Sequence, residues 1–153
     1  MIRRLNRKAL VAWAAGFFDG EGSVTLAAGN PGHGQRRHAG QMKLAISVWQ
    51  TQKAPLLRLQ MLFGGTIYAN PQRSPRHAPS WAWRLHDQQA MDALLEMEPY
   101  LIRKAAQAAV ARDFRVLVTG TTWGPPGMPD EEIAKRVALK EAMTVLNAKG
   151  PQP

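Results

Sequence analysis

The sequence predicts an α+β domain in which a helix-strand-strand unit occurs twice, helix-strand-strand-helix-strand-strand-helix, and makes one saddle-shaped, antiparallel four-stranded sheet. Three observations carry this. Residues 41–50 alternate strictly, with Met42, Leu44, Ile46 and Val48 on one side and Gln41, Lys43, Ala45, Ser47 and Trp49 on the other. A second strand-loop-strand unit follows at 66–85, where Trp81, Trp83 and Leu85 share a face opposite Ser80, Ala82 and Arg84. Each unit is preceded by a segment with helical spacing, so helices back one face of the sheet and leave the other open.

In order, the first helix covers roughly Arg7 to Asp19. Asn6 is a suitable cap for its first turn, and Gly20 and Gly22 stop it, so that Glu21 projects from the end. Gly16 and Gly20 are four apart and share a face on which another backbone can approach closely. A strand from Ser23 to about Ala28 leads into a long turn-rich loop at 29–40 that holds His33, Arg36, Arg37 and His38. After the alternating strand, Pro55 suits the first turn of a helix ending at Gly64 and Gly65, with Leu56, Leu59, Leu62 and Phe63 inward. Thr66 to Tyr68 precedes a second loop at 70–79, which carries Arg73, Arg76 and His77. The tryptophans of the next strand are either stacking partners for bases or core, and their period-two spacing beside a helix favours core. Asp87 is placed as the cap of a helix at 88–97, with Ala90, Met91, Leu94 and Leu95 inward. Pro99 breaks it, and 100–118 is again helical in pattern. Residues 120–129 are a Pro- and Gly-rich connection, and Asp130 is the cap of a last helix ending near Asn147. The 153 residues read as one domain with a core at about 7–118.

Lys and Arg number 20 against 11 acids, for a net charge of +9 and a pI near 10.7. That excess points to a polyanionic partner, since phosphate binding draws on Lys and Arg and releases counterions. The absence of cysteine excludes disulfides, thiolate metal sites and cysteine catalysis, and fits an intracellular protein. No stretch is long and apolar enough to cross a bilayer. No phosphate-binding or dinucleotide glycine loop is present, which argues against a nucleotide cofactor, and no two histidines have the helical spacing of a zinc pair.

One stretch combines features that seldom occur together. Residues 13–24 read Trp-Ala-Ala-Gly-Phe-Phe-Asp-Gly-Glu-Gly-Ser-Val: small residues, two aromatics, and acids framed by glycines. An ordinary acidic turn after a small-residue helix would explain each feature singly. A carboxylate fixed between a packed helix and a strand is also what a metal ligand needs.

Ala14 to Gly22 resembles the nine-residue motif of the LAGLIDADG homing endonucleases, in the form common to single-motif members. Two later stretches are similar to the same family: Val48-Trp-Gln-Thr-Gln-Lys53 and Pro99-Tyr-Leu-Ile-Arg-Lys104. The resemblance implies a homodimeric, Mg²⁺-dependent endonuclease, with Mn²⁺ or Ca²⁺ able to replace Mg²⁺ in binding, that cuts both strands of a long, partly palindromic double-stranded DNA site. On this reading Glu21 binds the metal and Gly20 adds a carbonyl. Gln52 orders water, against a simpler role as strand end or helix cap. Lys104 approaches the scissile phosphate, with Arg103 as its rival and a surface cation as the plainer alternative. Ala15, Gly16, Asp19 and Gly20 meet the second subunit. Thr25, Gln41, Lys43, Ser47, Tyr68, Asn70, Ser80 and Arg84 read bases, while Arg36, Arg37, Arg73 and Arg76 meet phosphates or outer bases. Two other functions fit the same scaffold: a non-catalytic DNA-binding regulator and an RNA-binding intron maturase.

Overall fold

The computed structural model describes residues 6–28, 42–71, 74–123 and 127–148. Arg36, Arg37, Gln41 and Arg73, and with them His33 and His38, lie outside the described residues.

Helix α1 spans Arg7–Glu21. Asn6 caps it as expected, its side-chain oxygen accepting from the Ala9 amide at 2.8 Å. Val11, Ala14, Ala15 and Phe18 fall at i, i+3, i+4 and i+7 and form its buried stripe. The helix runs two residues past the expected end: Gly20 stays helical, Glu21 is the last helical residue, and Gly22 breaks out into extended backbone. Gly22 has a packing reason to be glycine, because a Cβ there would lie 2.2 Å from the buried Phe18 ring.

Strands β1 (Gly22–Ala28) and β2 (Met42–Gln50) pair antiparallel, with Ser23 opposite Ser47 and Val24 opposite Ile46. Helix α2 (Lys53–Phe63) follows, and Gly64 and Gly65, at φ +76° and +93°, turn the chain into β3 (Thr66–Ala69). Strand β4 (Trp81–His86) pairs with both β2 and β3, giving one four-stranded sheet in the order β1-β2-β4-β3. The fold is therefore α+β with an antiparallel sheet, as read from the alternation.

Helix α3 (Asp87–Met97) starts without any loop after β4. The cap position is His86, not Asp87; Asp87 is the first helical residue and takes φ +48°, which absorbs the reversal in a conformation that Asp tolerates better than most residues. Ala90, Met91, Leu94 and Met97 face inward, while Leu95, expected inside, is 45% exposed. The single helix expected at 100–118 is two pieces. A 3₁₀ turn at Glu98–Tyr100, built around Pro99, ends before α4 begins at Ala105 and runs to Val118. Helix α5 spans Asp130–Asn147, with Pro129 rather than Asp130 at the cap position and its carbonyl accepting from the Glu132 and Ile133 amides.

The alternation of β2 holds on the helix side, where Met42, Leu44, Ile46 and Val48 are buried beside Val24, Trp83 and Leu85. The Trp83 indole N–H donates to the Gly64 carbonyl at 2.8 Å, so this tryptophan is core with its polar edge satisfied. On the other side Thr25, Lys43 and Trp49 are exposed, but Ser47 is buried between its register neighbours Ser23 and Arg84. The buried side chains form one continuous core, to which α4 adds Ala108, Ala111 and Phe114 and α5 adds Met143. Helix α5 also closes the edge strand β1: the Asn147 amide donates to the Val24 carbonyl at 2.7 Å, and Gln107 of α4 donates to the Leu146 carbonyl at 3.2 Å.

Candidate active site

The end of α1 gathers most of the chemistry. Glu21 is exposed on its last turn. Next to it, Asp19 is only 9% exposed and turns back into its own chain. Its Oδ2 accepts from the Ile102 and Arg103 amides at 3.2 and 2.9 Å, and its Oδ1 from the Lys104 amide at 2.8 Å. Lys104 returns the contact, its Nζ donating to the Asp19 carbonyl at 2.7 Å. These bonds explain why 102–104 do not continue a helix: their amides are spent on Asp19.

Burial works to raise the pKa of the Asp19 carboxyl, but the amides of Arg103, Lys104 and Ile102, with the Lys104 ammonium adding to them, outweigh it and hold the group below its usual value. Lys104 is half-buried, and its ammonium is held below the usual lysine value by that burial and by Arg103, partly offset by Asp19 and Glu21. Arg103, the alternative to Lys104, is exposed.

Gln52 is exposed at the cap position of α2 and makes no capping bond with its side chain. Because Gly22 pairs with Val48, the end of β2 that leads to Gln52 emerges at the same end of the sheet as Glu21.

The residues assigned to a subunit contact divide into two pairs. Gly16 and Gly20 are exposed on α1, and a Cβ built on either meets nothing within 4 Å. Ala15 is fully buried in the core of its own chain, and Asp19 is engaged as above. Trp13 and Phe17 flank the glycine face, their rings stacked at 5.4 Å, and the Arg58 guanidinium of α2 lies over Trp13 at 5.1 Å. Sequence reasoning did not place Trp13, Phe17 and Arg58 here; the i, i+4 spacing of the two aromatics was the available signal.

On the open side of the sheet, Arg84 sits in a row with Ser23, Ser47 and Thr66. Its guanidinium lies over the Tyr68 ring at 5.4 Å, and its Nε is buried without a hydrogen-bond partner. Ser23 and Ser47 share a hydrogen bond at 2.9 Å. Thr25 and Lys43 are exposed in the same face. Asn70 and Ser80 are tied to each other across the second loop, side chain to side chain at 3.1 Å and Asn70 amide to Ser80 carbonyl at 2.9 Å, and Ser80 precedes β4 rather than belonging to it. Arg76 is exposed in the turn between them.

No metal-holding group of three or more His, Asp or Glu residues occurs among the described residues. Glu21, with the Gly20 carbonyl at the open end of the helix, offers hard oxygen donors of the kind Mg²⁺ takes, but too few for a closed site in one chain. Among the described residues no helix is long and apolar enough to cross a membrane.

With its four-stranded antiparallel sheet on a helical layer, the chain has the fold of solved LAGLIDADG homing endonucleases. The homing endonuclease I-CvuI, solved with its target and Ca, superposes with a TM-score of 0.72 at 20% identity over 96% of this chain and 87% of its own. The archaeal intron-encoded homing endonuclease I-Vdi141I, complexed with DNA, gives 0.70 at 17% identity over 93% and 86%. The LAGLIDADG meganuclease I-AabMI, bound to uncleaved DNA, gives 0.65 at 16% identity over 92% of this chain but only 45% of its own. No protein-family model and no curated protein matches the chain.

Proposed function

We propose that two copies of this chain form a site-specific DNA endonuclease that hydrolyses both strands of a long, partly palindromic duplex across its minor groove. The observation that carries the reading is the end of α1, where an exposed carboxylate, Glu21, and a half-buried ammonium, Lys104, lie beside an open glycine face. The fold shared with I-CvuI and I-Vdi141I, both solved with their DNA, supports duplex DNA as the substrate.

Pairing of the Gly16 and Gly20 faces would bring two Glu21 carboxylates together and complete what one chain lacks. The match of nearly the whole chain to 45% of I-AabMI supports two copies standing in for one longer chain. A bound divalent cation supplies a more acidic water and neutralises charge on phosphorus and the leaving oxygen. Glu21 and the Gly20 carbonyl would hold that cation, Gln52 would order the attacking water, and Lys104 would face the scissile phosphate. Thr25, Lys43, Tyr68 and Arg84 on the open sheet face read one half-site per subunit. The net charge of +9 serves phosphate contacts, in which Arg76 takes part together with Arg36, Arg37 and Arg73.

Incubation with a randomised duplex library and Mg²⁺, beside the Glu21→Gln variant, tests this. The reading expects cutting by the natural chain and binding without cutting by the variant. Equal cutting by both removes Glu21 from the mechanism, and binding without cutting by either identifies a DNA-binding regulator.

A further inference from the structure

We propose that Asp19 is a positioning residue for the reaction: its carboxylate clamps the turn before α4 so that the Lys104 ammonium is held at the Glu21 end of α1. The inference rests on the endonuclease reading above, and it assigns to Asp19 a task inside its own subunit.

The geometry is an exchange of charges between two helix ends. The C-terminal end of α1 has carbonyls without helical partners and the negative pole of the helix dipole; Lys104 brings an ammonium to the Asp19 carbonyl there, at 2.7 Å. The N-terminal end of α4 has free amides and the positive pole; Asp19 brings a carboxylate to the amides of 102–104 immediately before it, at 2.8 to 3.2 Å. Two elements 85 positions apart in sequence are thus joined by four hydrogen bonds, all with a charged partner. The side chain of Lys104 has four rotatable bonds and would otherwise sample many positions; a backbone fixed by three amide bonds and a head fixed by a carbonyl leave few. Leu101 anchors the start of this turn in the core, whereas the next residue, Ile102, is 85% exposed, so over 102–104 it is the clamp rather than apolar burial that fixes the backbone.

The Asp19→Asn side chain is the same size, but one terminal atom becomes a donor facing donor amides. The test measures single-turnover cleavage of the best-cut library duplex with Mg²⁺ at saturating and limiting protein for the natural chain, Asp19→Asn, Lys104→Met and the double variant. Amide ¹⁵N–¹H shifts of 102–104 are recorded without DNA or metal. Displacement of a reacting group by about an ångström costs on the order of 100-fold in rate. The expected result is a loss of about that size for Asp19→Asn, confined to the saturated rate, with shifted amide signals at 102–104 and no further loss when it is added to Lys104→Met. Natural rates in Asp19→Asn with displaced amide signals, a loss confined to half-saturation, or losses that multiply in the double variant each overturn the proposal. If Asp19→Asn does not fold, Asp19→Glu takes its place in the same cycle. Failure of the natural chain to cut any duplex overturns the endonuclease reading, and the positioning role with it, while the amide signals still report whether the clamp forms.

Discussion

Asp19 and Lys104 hold each other twice, the Lys104 amide on Asp19 Oδ1 at 2.8 Å and the Lys104 ammonium on the Asp19 main-chain carbonyl at 2.7 Å. This contact joins the acid-bearing end of α1 to the turn before α4, and it makes Asp19 a structural residue of the single chain. Charge-assisted hydrogen bonds at a buried carboxylate stabilise by about 1.5–3 kcal/mol each and are not additive. Asp19→Ala is therefore expected to destabilise the chain by roughly 3 kcal/mol in urea unfolding at neutral pH. A change below about 0.5 kcal/mol would show that the carboxylate is not held in solution.

The same contact has a pH signature. The folded-state pKa of Asp19 lies below its ordinary 3.8, because the three amides and Lys104 outweigh burial. A depressed acid stabilises the fold above its unfolded pKa and loses that stabilisation as pH falls through the folded value. The stability difference between the natural chain and Asp19→Ala is expected to be full above about pH 5 and to shrink as pH falls below the ordinary 3.8. A difference that stays constant over that range would assign the effect to packing.

Arg84 is expected to act on specificity. With its guanidinium over the Tyr68 ring, it presents a pre-oriented group from the open sheet face, the one best suited to the paired acceptors of guanine in the major groove. Arg84→Ala should lose about 1–3 kcal/mol of discrimination at one base pair per half-site, read by competition between single-base variants of the best-cut duplex. A uniform loss across all variants would instead make Arg84 a phosphate contact.

The C-terminal helix should protect the sheet edge. Asn147→Ala removes the donor from the Val24 carbonyl and is expected to cost about 1 kcal/mol and to speed hydrogen exchange in β1. Unchanged exchange there would mean that α5 does not depend on this bond to dock.

Much of this was legible in the residues, and for identifiable reasons. Period-two alternation marked the buried face of β2, and in β4 it placed Trp83 and Leu85 but not the burial of Ala82, expected on the open face, while Asn6 marked the start of α1. The motif at 14–22 carried the fold resemblance that the solved structures support. What alternation cannot see is what covers a side chain on the open face, so Ser47 was expected to be free where Ser23 and Arg84 enclose it. Helical spacing likewise ran through 100–104 because nothing local reports that a carboxylate from residue 19 consumes those amides. On α1, Gly16 and Gly20 are open, whereas Ala15, assigned to the same subunit contact, turns fully into the core of its own chain.

The account depends on α1 being a surface for a second copy, and Gly16 gives the most direct test. A Cβ at Gly16, which is exposed, meets nothing within 4 Å, and Leu is favoured over Gly in a helix by about 0.8 kcal/mol, so Gly16→Leu should leave the circular dichroism spectrum intact and the melting temperature unchanged or slightly raised. Sedimentation velocity on a cognate duplex is the measurement: the account predicts two chains per duplex for the natural sequence and one for Gly16→Leu. One chain per duplex for the natural sequence, or two for the variant, would contradict it.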